Sequence, residues 1–207
     1  MYTPKHFEEK DRVKLVQFMK QYSFAAIVNK TKKRYWATHI PFLVDQNNDQ
    51  IYLRAHMAKA NPQWVNFKED EEVLVIFQEP HAYISPELYD TKVSVPTWNY
   101  IAVHVYGIPE ILSSREDKIR ILEDSFAEFQ PSYQKQWEVL PEKYREDLLN
   151  GITAFKIKVT EIEGKFKLSQ NRSENERTNI ISHLSTDTEK IKNDIALYMS
   201  RTKQQDK

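Results

Sequence analysis

Between residues 23 and 57 short apolar runs alternate with polar turns. SFAAIVN (23–29) predicts a buried strand, RYWATHIPFLV (34–44) a second and IYLRAHM (51–57) a third. NKTKK and DQNNDQ supply the turns between them, so this stretch reads as an antiparallel meander. EVLVIFQ (72–78) is an unbroken apolar run that fits a strand, and HAYIS (81–85) follows Pro80. VPTWNYIAVHVYG (95–107) places Trp98, Tyr100, Ala102, His104 and Tyr106 on one face and Thr97, Asn99, Ile101, Val103 and Val105 on the other. Neither face is plainly polar. AFKIKVTEIEG (154–164) alternates Lys with apolar residues and runs on into KFKLSQNR.

Helical spacing takes over elsewhere. Thr3–Pro4 predicts a capped first turn, and Leu15, Phe18, Met19 and Tyr22 share one face of a helix that starts at Asp11. Asn61 caps a short helix, NPQWVNF. Acidic helices are expected over 114–129 and 141–150. In the tail, Ser173 with Glu176 and Thr186 with Glu189 each predict a capping box, and the last six residues are expected to fray. About six strands with helices at both ends imply a mainly β, α+β fold: a small barrel with helical decoration. Residues 1–172 form the expected barrel domain with a helical insertion at 114–150, and 173–207 a helical extension.

Composition narrows the chemistry. The 207 residues contain no cysteine, which excludes disulfides, thiolate zinc sites and thiol nucleophiles. No apolar run reaches the roughly 18 residues a membrane span needs, and the first residues lack a signal core, so a cytoplasmic location is expected. Three glycines cannot supply a dinucleotide fingerprint or a P-loop. Any bound phosphate must therefore be held by side chains and ordinary backbone N–H groups. Formal net charge is zero, and the tail from 173 carries six bases and six acids, so the charge pattern gives no footprint for DNA. Residues 28–68 hold seven Lys or Arg against two acids. No His pair at i, i+4 with a helical acid suggests a metal, and no nucleophile stands in a catalytic context.

If the second and third strands pair through their turn, Thr38 or His39 comes near Arg54 and His56, with Lys59 and the Asn61 cap next in the chain. Such a corner suits a phosphate. The same residues also describe an edge strand with solvated Arg and Lys. Trp64, Trp98 and Tyr100 are rings suited to an aromatic ligand.

THIPFLV, RAHMAKANPQW, VIFQEPHAYISP, VPTWNYIAVHVYG and IEGKFKLSQNR together resemble the PaiB-type FMN-binding negative transcriptional regulators, over residues 2 to about 185. The resemblance implies a six-stranded split β-barrel of the FMN-binding type. It implies a homodimer with FMN at its interface, and repression of protease production and sporulation. By motif it places Thr38 and His39 beside the flavin ring, Arg54, His56, Lys59 and Asn61 on the phosphate, Trp98 and Asn99 near the flavin or the dimer seam, and Lys165 and Lys167 toward the cofactor pocket of the partner subunit. It implies no catalytic residue. The alternative is a flavin-dependent oxidoreductase of a small molecule, related to pyridoxamine-phosphate oxidase-like proteins.

Overall fold

The structure is a computed structural model that describes residues 1–31, 34–67 and 71–202. Two lysines of the expected NKTKK turn, and residues 203–207 of the expected frayed end, lie outside these residues.

Eight strands are described: β1 (Glu8–Glu9), β2 (Phe24–Lys30), β3 (Tyr35–Pro41), β4 (Leu43–Asn47), β5 (Gln50–Ala58), β6 (Val73–Ile84), β7 (Thr97–Leu112) and β8 (Ile152–Lys167). Six α-helices accompany them: α1 (Arg12–Gln21), α2 (Arg115–Phe129), α3 (Gln134–Val139), α4 (Glu142–Asn150), α5 (Glu174–Ser185) and α6 (Lys190–Arg201). The strands form one sheet in the order β3-β2-β6-β7-β8-β5-β4, with β1 added on β8. The class is α+β, as expected, but the sheet has eight strands and not six.

Two local events redraw the expected strands, and the two-residue β1 adds one that the pattern did not predict. The two runs either side of Pro80 join into one strand, β6. The run 34–44 instead breaks at Phe42. Its ring is buried beside Phe77 and Phe155, with centroids 6.0 and 6.4 Å away, and its N–H donates to Ser23 O at 2.9 Å. The chain therefore leaves β3, which pairs with β2, and enters β4, which pairs with β5. The expected meander is replaced by two separate hairpins. Thr38 lies across from Ile27 and His39 from Ala26, whereas Arg54 lies across from Leu43 and Lys156.

The chain divides into two compact units. One comprises Val16–Phe77 and Val105–Ile162. In it β5 alternates: Ile51, Leu53, Ala55 and Met57 are buried, while Tyr52, Arg54 and His56 are half-exposed. Each fully buried side chain of Leu, Ile or Phe size stabilises by ~1.5–3 kcal/mol. Gly107 lies where a Cβ would come within 2.6 Å of both Ile157 Cγ2 and the Lys158 carbonyl oxygen, so only glycine lets these backbones approach so closely.

The other unit comprises Met1–Leu15, Gln78–His104 and Glu163–Lys207. Here the Ser173 capping box forms as expected. Ser173 Oγ accepts from Glu176 N at 3.1 Å, and Ser173 N donates to Glu176 Oε2 at 3.2 Å. The second expected box does not form. Asp187 Oδ1 takes the Glu189 N–H at 3.0 Å in a local turn, and α6 starts behind Glu189 with no side-chain cap. Arg177, only 6% exposed, donates to Leu168 O at 2.8 Å and to Met199 O and Thr202 O at 2.9 and 2.8 Å. Burial pushes its pKa down, and these carbonyls, two of them at the C-terminal end of α6, offset the lost hydration.

Candidate functional site

The first polar cluster lies on β3, β5 and the 3-10 turn Pro62–Asn66. Each of the three Arg54 guanidinium nitrogens is bonded there. Nε and Nη2 donate to Asp45, the latter at 3.0 Å, and Nη1 donates to Asp124 Oδ2 on α2 at 2.5 Å. The Asp45 hydrogen bonds, joined by those of Asp124, push its pKa up despite burial. Two carboxylates on one cation leave the triad with a net negative charge. Arg54 thus ties α2 to the β4–β5 hairpin, and the two carboxylates that hold it disfavour a phosphate at the same cation.

Thr38 and Asn61 do meet, and the residue that joins them was passed over in the sequence. Asn61 Oδ1 caps the turn by accepting from Gln63 N at 2.9 Å, and its Nδ2 donates to Thr38 Oγ1 at 2.9 Å. The Thr38 hydroxyl donates to Gln63 Oε1. Gln63, wholly buried, donates through Nε2 to Ile27 O and Asn29 Oδ1, both at 3.0 Å. A buried amide must find such partners, so the signal was an amide set in a capped turn between apolar neighbours.

Three expected residues of this unit keep their functional atoms outside any such bond among the described residues. His39 is exposed beside the Phe24 ring at 6.5 Å. His56 is half-buried, and burial pushes its pKa down, which favours the neutral form. Lys59 is exposed; its backbone N–H is fixed on Gly151 O at 2.8 Å, and its carbonyl accepts from Trp64 Nε1 at 2.9 Å.

The second cluster belongs to the other unit. Trp98 is 52% exposed and Tyr83 50%, and the Trp98 ring lies 5.8 Å from each of His81 and Tyr83. Asn99, next in the chain, points the opposite way and is fully buried. Its Nδ2 donates to Met199 Sδ at 3.4 Å, and its Oδ1 accepts from Ser169 Oγ at 3.0 Å. It holds α6 in place and presents no amide to a ligand. Lys165 Nζ donates to Tyr2 O at 3.2 Å and stands 5.3 Å from the Tyr100 ring centroid. Lys167 donates to the Thr97 hydroxyl.

Among the described residues there is no cluster of acids and imidazoles that could hold a metal, and no helix is long and apolar enough to cross a membrane. What the geometry leaves open is a set of cations and half-exposed rings, the donor set of a protein that binds an aromatic anion. That class has a definite member here. Residues 1–161 match the family described as "Putative FMN-binding domain", and the chain belongs to that family. FMN is therefore the cofactor, and the donor set fits it: ammonium groups suit its phosphate and open rings its planar head.

The chain is 38% identical to the protease synthase and sporulation protein PAI 2 of Bacillus subtilis over 189 residues, 90% of each protein. It is 32% identical to an uncharacterized protein of Emericella nidulans over 195 residues, 74% of this chain and 78% of that one. Among solved structures, the flavocytochrome Anf3 from Azotobacter vinelandii superposes with a TM-score of 0.61 at 12% identity, covering 80% of this chain and 72% of that one. The FAD and heme binding protein from Mycobacterium smegmatis gives 0.60 at 13% identity, covering 78% and 73%. These last two likenesses are of fold.

Proposed function

We propose that this chain is an FMN-binding negative regulator of protease production and sporulation. It acts in the cytoplasm as a homodimer with FMN at the interface between protomers. The observation that carries this reading is the 38% identity to the sporulation protein PAI 2 across nine-tenths of both chains, joined to membership of the FMN-binding family. The split-barrel form of the sheet draws support from β3 and β5. They stand far apart in pairing order yet run close to each other within one unit. The balanced charge favours control through a partner protein or a metabolite over direct coating of an operator. For the flavin contact we single out the open face that carries Trp98 and Lys165. When bound, the flavin supplies the redox chemistry; the protein supplies binding and orientation.

The test is complementation. Expressed in Bacillus subtilis lacking PAI 2, this chain restores the parental level of secreted protease and of spores, and the purified protein is yellow. Unchanged protease and spore counts sink the regulatory reading. Steady oxidation of NAD(P)H by the yellow protein supports the oxidoreductase instead.

A further inference from the structure

Helix α4 is apolar on two sides, and the fold accounts for one of them. Inward, Leu149 is 3% exposed, Arg145 lies over the Trp137 ring at 5.9 Å, and Glu146 Oε1 accepts from Arg115 Nε of α2 at 2.7 Å. Tyr144 and Leu148, four residues apart and therefore neighbours on the helix surface, are 53% and 39% exposed. Val139, at the end of α3 and just ahead of α4, is 81% exposed. A surface helix needs one apolar stripe, toward the core. Scattered apolar side chains on a surface are ordinary, but these three follow one another along one short stretch of chain.

The charges between them are one-sided. Glu138, Glu142 and Asp147 are exposed, and Lys143 is the one exposed cation in residues 138–148, since Arg145 is half-buried against Trp137. Among the described residues the Glu138 carboxylate accepts only from the neutral Gln134 Nε2, at 3.2 Å, and those of Glu142 and Asp147 make no hydrogen bond or ion pair. Three acids along an apolar strip are complementary to a segment that is itself apolar and basic, and they repel an acidic one.

The strip also stands on a fixed base. Lys118 Nζ donates to Leu149 O at 2.9 Å, Arg54 of β5 donates to Asp124 of α2 at 2.5 Å, and the Lys59 N–H donates to Gly151 O at 2.8 Å just past the end of α4. A surface held in this way loses little freedom when it is covered.

We propose that Val139, Tyr144 and Leu148, with Glu138, Glu142 and Asp147 beside them, form a docking site for a basic amphipathic helix of another protein. The apolar side of that helix covers the three side chains, and its Lys or Arg residues face the acids. Such a partner serves the regulatory reading above, on which its biological role rests. Peptide binding is measured without any gene-control readout, so the two can fail separately.

The probe is a fluorescently labelled peptide of Leu and Lys at helical spacing, roughly 18 residues long so that it can form a helix, with a Leu/Glu peptide as its counterpart. Each is titrated with the full chain and followed by fluorescence anisotropy. The Leu/Lys peptide binds and the Leu/Glu peptide does not. Tyr144→Ser/Leu148→Ser weakens binding at least about tenfold. Glu142→Gln/Asp147→Asn weakens it about fivefold at low salt and flattens its salt dependence, which decides the matter if the Ser variant does not fold. Val93→Ser, which removes a still more exposed apolar side chain from the other unit, leaves binding unchanged. Equal affinity for the wild type and for both double variants, or no binding to the wild type, overturns the proposal. So does sedimentation velocity in which the Ser variant breaks up an assembly of this chain, because the strip is then a contact between copies.

Discussion

The two polar clusters use their donors in opposite ways. Around β5, Arg54 bonds to Asp45 and Asp124, and Thr38, Asn61 and Gln63 bond to one another, so that among the described site residues only His39, His56 and Lys59 keep unbonded side chains there. At the end of β8, two ammonium groups and the rings beside them remain open. A motif rich in Arg, Thr and Asn is as able to stiffen a scaffold as to bind an anion. What distinguishes the two uses is whether carboxylates and amides elsewhere in the chain satisfy the donors first.

The comparison breaks if the β5 cluster proves dispensable to the fold. Gln63→Leu removes the amide that holds Thr38, Asn29 and the Ile27 carbonyl together, and takes from each the bond it makes to Gln63. A loss of ~3 kcal/mol is expected in urea denaturation; a loss below ~1 kcal/mol would show that the network carries no stability. Arg54→Met strips the partner from two half-exposed carboxylates and costs ~2 kcal/mol after allowance for solvent screening. The folded variant should still prefer FMN to riboflavin. If that preference vanished while stability held, Arg54 would be a ligand after all and the contrast would collapse.

Smaller effects sharpen the contrast. Glu176→Gln weakens the capping box of α5 and lowers stability by ~0.5–1 kcal/mol without changing flavin preference, since nothing in the cap faces the lysines. The smallest effect is on pH dependence. Burial lowers the pKa of His56 and of His104 below their ordinary value of 6.5. The unfolded chain therefore takes up these protons first, and stability present above pH ~6.5 is lost as pH falls through the folded values. Melting temperature should fall on acidification from pH ~7 to ~5.5, and less so in His56→Gln; an identical slope would show that His56 is not held neutral by its surroundings.

Much of this was legible locally. The alternation of β5 puts Arg54 and His56 on one face in both sequence and structure, and the Asn61 cap and the Ser173 box follow from side chains within three residues of the groups they bond. The rest depended on distance along the chain. Arg54 is answered by Asp124, seventy residues on, and nothing near β5 announces it. Asn99 looked as open as Trp98 because both faces of that strand read alike; Met199, a hundred residues later, decides which is buried. The break at Phe42 arises because its ring finds Phe77 and Phe155, contacts that outweigh the local strand pattern.

The way β7 and β8 each run from one compact unit into the other bears on synthesis. The unit of Val16–Phe77 and Val105–Ile162 has all its parts once residue 162 has emerged from the ribosome. Its neighbour is gathered from three stretches, including residues 1–15 and everything from 163, so the earliest segment must wait for the latest. Contacts that span so much chain close slowly. Nascent polypeptide halted before α6 would leave the buried Asn99 amide without Met199, and that interval is when a chaperone would find its substrate.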